Sequence, residues 1–185
     1  MRIISGRLKG KPILFLKNVK TRPLKDAVKE NIFNILIHSN QINVDLKNSN
    51  ILDLYSGIGS FGLEALSRGA RKVTFVEKNN SAIKVLNENL QNLSLKNKAF
   101  VFHNEIKNIL KIKNIEKYDI FFLDPPFADN SFINEIILLK KNKIFKKKHI
   151  VIIHREREAL DNFNASLNVF LTKSYGRSKI LFANF

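Results

Sequence analysis

The sequence predicts one α/β domain built on a mostly parallel, seven-stranded sheet that an antiparallel hairpin closes at one edge. Three observations carry that prediction. From residue 50 onward, short runs rich in Val, Ile, Phe and Tyr alternate with segments of helical periodicity, the pattern of parallel strands joined by crossover helices. Those runs are apolar along their length, as a sheet covered on both faces requires. The last two flank Tyr175-Gly176-Arg177, a short turn that suits antiparallel neighbours.

In chain order, Arg2 to Ile4 and Pro12 to Leu16 read as a small hairpin around Gly6 and Gly10. A helix from about Lys25 to His38 follows, with Val28, Ile32, Ile35 and Leu36 on one stripe. Strands are expected at Asn50 to Tyr55, Lys72 to Glu77, Ala99 to Asn104, Tyr118 to Asp124 and His149 to His154, then at Leu167 to Ser174 and Ser178 to Asn184. Between them, Ser60 to Arg68 is a helix stopped by Gly69. Asn80 to Asn92 aligns Ile83, Leu86, Leu90 and Leu93, and Ser131 to Lys140 aligns Ile133, Ile136 and Ile137. With no repeat and no long linker, residues 1–185 form a single domain: 1–40 is a basic hairpin-plus-helix extension and 41–185 the core.

Charge narrows the function. The 32 Lys and Arg residues oppose 16 Asp and Glu, a net charge of +16 that points to a polyanionic partner. Lys, Asn and Ile all have AT-rich codons, so where the charge lies weighs more than its total. Residues 1–30 carry nine basic residues, Arg2 through Lys29, against Asp26 and Glu30. A second cluster, Lys140, Lys141, Lys143 and Lys146 to Lys148, contains no acid and reads equally well as a solvated surface. The absence of cysteine excludes disulfides, thiolate zinc sites and a cysteine nucleophile, and it fits a reducing cytoplasm. Apolar runs such as Ile120 to Leu123 fall far short of the roughly 18 residues of a membrane span. Met1 to Gly10 lacks an apolar signal core, so neither membrane insertion nor secretion is expected.

Two motifs carry chemistry. The first, Asp53-Leu54-Tyr55-Ser56-Gly57-Ile58-Gly59-Ser60-Phe61-Gly62, runs from a strand through a glycine-rich turn into a helix, where glycine lets the backbone approach a ligand. Glu77, at the end of the second strand, offers a carboxylate to both hydroxyls of a ribose. Together they indicate a nucleoside-bearing cofactor, and alone they fit a dinucleotide as well. The second motif, Phe121-Phe122-Leu123-Asp124-Pro125-Pro126-Phe127, ends the fourth strand. Two consecutive prolines fix a rigid turn and remove two backbone donors, leaving carbonyls, one carboxylate and an aromatic face. That set suits a flat group with an amine to be held and a ring to be stacked. A dehydrogenase would need a separate substrate domain, for which 185 residues leave little room.

Asp124-Pro125-Pro126-Phe127 resembles the (Asp/Asn/Ser)-Pro-Pro-(Tyr/Phe/Trp) motif of amino-group methyltransferases, and Asp53 to Gly62 resembles their S-adenosyl-L-methionine (SAM) loop. Met1 to Gly6, Arg22-Pro23, Ala27 to Asn34 and Leu63 to Ala70 are similar to the RsmD family, bacterial enzymes that methylate N2 of a guanine in 16S ribosomal RNA. Tyr175-Gly176 extends the resemblance over nearly the full chain. The resemblance implies a Rossmann-like class I methyltransferase fold and SAM as cofactor, with no metal. It implies 16S rRNA as partner, free or in an assembling small subunit, and a monomeric, cytoplasmic enzyme. It places Asp53, Gly57 and Gly59 at the methionine side of SAM and Glu77 at its ribose, with Tyr55 and Lys78 completing the set. At the adenine an Asp is usual, and this chain has Asn104 followed by Glu105. Asp124, Pro125, Pro126 and Phe127 would hold the target amine, and Arg2, Arg7, Lys9, Lys11 and Arg22 would hold RNA phosphates.

The same motif serves DNA adenine N6 and protein glutamine methyltransferases, and a non-catalytic RNA-binding module of the same fold is a further alternative. His38, His103, His149 and His154 lack the spacing of a metal site. Arg155 and Arg157 read as a solvent face after the fifth strand. With about four phosphate contacts, RNA affinity is expected to fall with a log-log salt slope of roughly −3. Charge reversal at Arg7, Lys9 and Lys11 should flatten that slope in filter-binding titrations while sparing SAM binding.

Overall fold

The computed structural model describes residues 1–16, 24–112, 115–163 and 166–185, so Arg22 lies outside the described residues. The elements are α1 (Asp26–His38), β1 (Asn50–Leu54), α2 (Ser60–Ser67), β2 (Lys72–Glu77), α3 (Asn80–Asn92), β3 (Ala99–His103), α4 (Ile106–Ile109), β4 (Tyr118–Leu123), α5 (Phe132–Lys141), β5 (Phe145–Glu156), β6 (Asn168–Tyr175) and β7 (Ser178–Asn184). They build one seven-stranded sheet in the order β3-β2-β1-β4-β5-β7-β6. It is parallel except for β7, which runs antiparallel to β5 and β6. No helix among the described residues is long and apolar enough to cross a membrane.

Side chains alternate faces along a strand, so each continuous apolar run feeds two cores. Ile51, Ile120, Phe122, Ile150 and Ile152 pack with α1, α2 and α3, whereas Leu52, Leu54, Phe121, Leu123, Val151 and Ile153 pack with α4 and α5. In the first core Phe33, Phe61 and Phe122 stack with centroids 5.0 and 4.0 Å apart, joining α1, α2 and β4.

Two departures from the sequence reading concern β5 and the N-terminal segment. β5 begins at Phe145 rather than His149, with a register irregularity opposite Tyr118 and Ile120. Its lysine-rich start masks a strand whose apolarity begins only at Ile150. Lys141, Lys143, Lys147 and Lys148 are therefore exposed at the amino end of β5, and Lys146 pairs with Asp119 at 2.7 Å. The expected N-terminal hairpin is present but short: one bridge, Arg2 to Pro12, flanked by Ile3 N donating to the Lys11 carbonyl and Ile13 N to the Met1 carbonyl, with Gly10 N donating to the Ile3 carbonyl.

That segment is also bound to α2, all eight residues of which are buried. The Glu64 carboxylate accepts from Ile4 N (2.8 Å), Ser5 N (2.9 Å) and Arg68 Nε (2.7 Å), with Lys29 Nζ at 3.8 Å. Lys29, counted with the basic arm in the sequence, has no exposed surface and donates to Ser60 Oγ and the Arg2 carbonyl. Burial pulls its pKa below the usual lysine range, against the attraction of Glu64.

Gly6 (φ 82) presses on the end of α2, where an added Cβ would lie 2.1 Å from the Ser67 carbonyl oxygen. Gly10 (φ 83) adopts the same backbone conformation with open space around it. Gly6→Ala is expected to lower the unfolding free energy by about 2–4 kcal/mol. Gly10→Ala should cost only about 1 kcal/mol, the conformational penalty alone. Urea midpoints of the two variants measure the difference.

Candidate active site

β1 lies between β2 and β4, and the chain crosses to opposite sides from it, so the carboxyl ends of these strands open a crevice. A cavity of about 930 Å³ fills it. Asp53, Tyr55, Gly57, Glu77, Lys78, Asn104 and Glu105 border it on one side, and Asp124, Pro125, Pro126 and Phe127 on the other.

On the first side the loop is held by its own carboxylates. Asp53 is buried and its Oδ2 accepts from Gly62 N at 3.0 Å, which fastens the first turn of α2; burial pushes its pKa well above the usual carboxylate range. Glu77 accepts from Gly57 N through Oε2 (2.8 Å) and from Lys78 N and Asn79 N through Oε1 (2.9 and 2.8 Å). Tyr55, at φ 57, donates its hydroxyl to Glu135 Oε2 at 2.5 Å. Burial raises the pKa of both groups. The glycines divide the work. Gly57 (φ 54) has nothing within 4 Å of a built Cβ, whereas Gly59 and Gly62 make room for Leu86 at 2.4 Å and the Phe75 ring at 2.3 Å. Gly59 is thus a packing glycine set back from the cavity.

β3 stops at His103, and Asn104 begins a turn. Asn104 Oδ1 accepts from Glu105 N and Asn108 Nδ2, both at 2.8 Å. Glu105 pairs with Lys107 at 2.7 Å, and that hydrogen bond holds its pKa below the usual range.

On the other side, sequence reasoning missed what holds the proline turn. His154 Nδ1 lies 2.8 Å from Asp124 Oδ1, and the Phe127 ring meets the imidazole edge-on at 5.6 Å. Arg155 does not face solvent: it is 1% exposed. Its Nη1 donates to the Pro126 carbonyl (3.2 Å), Nη2 to Asn130 Oδ1 (3.1 Å) and Nε to Asp161 Oδ1 (3.0 Å), with the guanidinium 4.5 Å above the Phe132 ring. Arg157 is exposed beside Glu158.

Arg2, Arg7, Lys9 and Lys11 are exposed but do not border the cavity. Arg7 N bonds the Ser67 carbonyl, so this part of the arm sits by the far end of α2, about 12 Å of helix from the glycine turn. Met1, Phe15 and Leu16 instead form part of the cavity wall, also unforeseen. Buried Asn89 holds that strap: it accepts from Leu14 N (2.8 Å) and donates to the carbonyls of Leu14 (3.1 Å) and Ile58 (3.3 Å). Arg177, in the β6–β7 turn, borders the cavity too. Among the described residues no three His, Asp or Glu side chains gather as a metal site.

A family model described as Conserved hypothetical protein 95 matches residues 1–184. Ribosomal RNA small subunit methyltransferase D of Haemophilus influenzae is 36% identical over 160 residues, which cover 85% of this chain and 80% of the relative. The chain belongs to the RsmD family. Putative rRNA methyltransferase YlbH of Bacillus subtilis is 32% identical over 160 residues, 85% of this chain and 84% of that protein. Among solved structures, putative methyltransferase yhhF from Escherichia coli superposes with a TM-score of 0.83 at 28% identity, covering 99% of this chain and 96% of that one. Putative methylase HI0767 from Haemophilus influenzae gives 0.77 at 31% identity, covering 98% and 96%.

In this RsmD-family chain, Arg155→Ala would strand Asp161, whose side chain is 2% exposed, as a buried carboxylate without its cation. The variant is expected to lose about 3–5 kcal/mol in urea unfolding. Arg155→Lys should recover only part of that, because an ammonium cannot reproduce the planar fork.

Proposed function

We propose that this chain is a SAM-dependent rRNA methyltransferase acting on the exocyclic N2 amine of a guanine in small-subunit rRNA. One observation carries the reading: Asp124 to Phe127 open onto the same cavity as the Gly57–Glu77 turn, so amine acceptors and a nucleoside site share one enclosure. Membership of the RsmD family supports rRNA as the substrate class, and the exposed arm Arg2 to Lys11 supports a polyanionic partner.

The cavity residues fit the cofactor. Gly57 leaves space for a ligand, and Ser56 Oγ is buried at the turn without a hydrogen-bond partner. A carboxylate has about four lone-pair positions. Glu77 uses three on backbone amides and keeps one on Oε2 for a ribose hydroxyl. Asn104 Oδ1 is already doubly engaged, which leaves Glu105 as the acceptor for the adenine amine. Bound SAM supplies an electrophilic methyl group on a sulfonium.

The chain's own residues prepare the acceptor. A guanine amine is a weak nucleophile because its lone pair is delocalised into the ring. Phe127 provides a face for a base turned out of its stack. Asp124 Oδ2 and the Pro125 carbonyl accept the two amine hydrogens and draw the lone pair out of the ring plane. The Pro126 carbonyl is not available, since it accepts from Asp129 N and Arg155. Asp124 then accepts the amine proton at Oδ2.

Mass spectrometry of rRNA from a deletion strain tests the activity: one small-subunit guanine should lose its N2 methyl group and regain it on complementation. Asp124→Ala should leave SAM affinity within a few-fold while single-turnover methyl transfer falls by about 10² to 10⁴. Asp124→Asn keeps a carbonyl acceptor and should fall between the two. Loss of SAM binding in a folded Asp124→Ala protein would place Asp124 on the cofactor instead.

A further inference from the structure

The chemistry proposed above leaves His154 unused. Its Nδ1 contacts Asp124 Oδ1, and a carboxylate that accepts there requires a proton on Nδ1; in the neutral imidazole Nε2 then carries a lone pair. His154 is 5% exposed and borders the cavity, yet Nε2 is buried with no hydrogen-bond partner. Buried polar atoms in folded proteins are nearly always partnered, and an unmet acceptor beside a ligand cavity marks where a ligand's donor belongs.

We infer that His154 determines specificity, its Nε2 accepting a hydrogen bond from a ring N–H adjacent to the target amine. The inference rests on the base-amine reading of the site. With the imidazole neutral, Asp124 and His154 make one hydrogen-bonded unit that presents acceptors and no donor to the cavity. A base edge with two adjacent donors satisfies it, and guanine offers such an edge through its N2 amine and N1–H. Adenine offers an amine beside N1, whose lone pair would oppose that of Nε2. The Phe127 and His154 rings lie at 75°. A base stacked on Phe127 is therefore nearly perpendicular to the imidazole, an arrangement in which an in-plane N–H can still meet an in-plane lone pair.

The test pairs a side-chain change with a substrate change. His154→Asn sets an amide nitrogen where Nδ1 stood, keeping the donor to Asp124, and deletes Nε2. On the substrate side, 2-aminopurine keeps the amine of guanine but has no hydrogen on N1. In single-turnover transfer to a small-subunit RNA fragment carrying either base at the methylated position, the parent should prefer guanine by roughly 10²-fold, the scale on which a site rejects an analogue that leaves a buried group unpaired. In His154→Asn that preference should shrink at least tenfold, on the order of the lost hydrogen bond, with SAM affinity within about twofold of the parent. An undiminished preference in a folded His154→Asn protein overturns the inference, as does a parent that uses both bases equally. The parent comparison stands by itself if the variant does not fold. A parent that methylates no guanine amine in under-methylated small-subunit RNA overturns the function and the inference together, whereas guanine methylation with an unchanged preference overturns the inference alone.

Discussion

A carboxylate with no exposed surface, Glu64 in the middle of α2, is the interaction on which the rest of the molecule depends. A buried anion is tolerated only when donors and cations surround it, and this one draws its partners from three places: hydrogen bonds from the backbone of Ile4 and Ser5 and from the Arg68 side chain one turn on, and the nearby cation of Lys29 in α1. The N-terminal chain is thereby made part of the helix's environment, and Ile3 and Ile13 join the same core as Phe61 and Leu63. Because α2 begins at the glycine turn and the N-terminal strap forms part of the cavity wall, one buried charge sets the position of both the floor and the rim of the site.

The opposite wall solves a different problem. Two prolines give Asp124 to Phe127 its shape but take away the amides with which a turn usually secures itself. The donors come from β5, whose last pairing with β4 joins Ile153 to Leu123. His154 and Arg155 follow just beyond the end of β4. Side chains alternate along a strand, so these two neighbours reach different parts of the turn, one at the Asp124 carboxylate and one at the Pro126 carbonyl. Asp161 fixes Arg155 in turn, and the motif's geometry is imposed from outside the motif.

The parallel sheet, its closing hairpin and the two chemical motifs were legible in the sequence because each depends on local pattern: continuous apolar runs, glycines at a strand end, prolines at the next. Boundaries moved where composition misled, as at the lysine-rich start of β5. What stayed hidden were partnerships between distant residues. Glu64 and Ile4 are 60 positions apart, and His154 and Asp124 are 30 apart. Nothing in the local pattern around Arg155 separates a solvated arginine from one enclosed by Asp161 and Phe132, since only the fold supplies the enclosure. Lys29 likewise reads as part of a basic arm until α2 closes over it.

The lysines at the amino end of β5 lie at the end of the sheet opposite the cavity, while the N-terminal arm is basic as well. Arg7, by the far end of α2, also stands back from the crevice. Long-range attraction raises the frequency of encounter, but charge set back from the crevice does not by itself seat a ligand in it. That is left to interactions that act only within a Debye length, about 8 Å at physiological salt. Capture and alignment become separate events, the first sensitive to ionic strength and the second to the shape of the crevice.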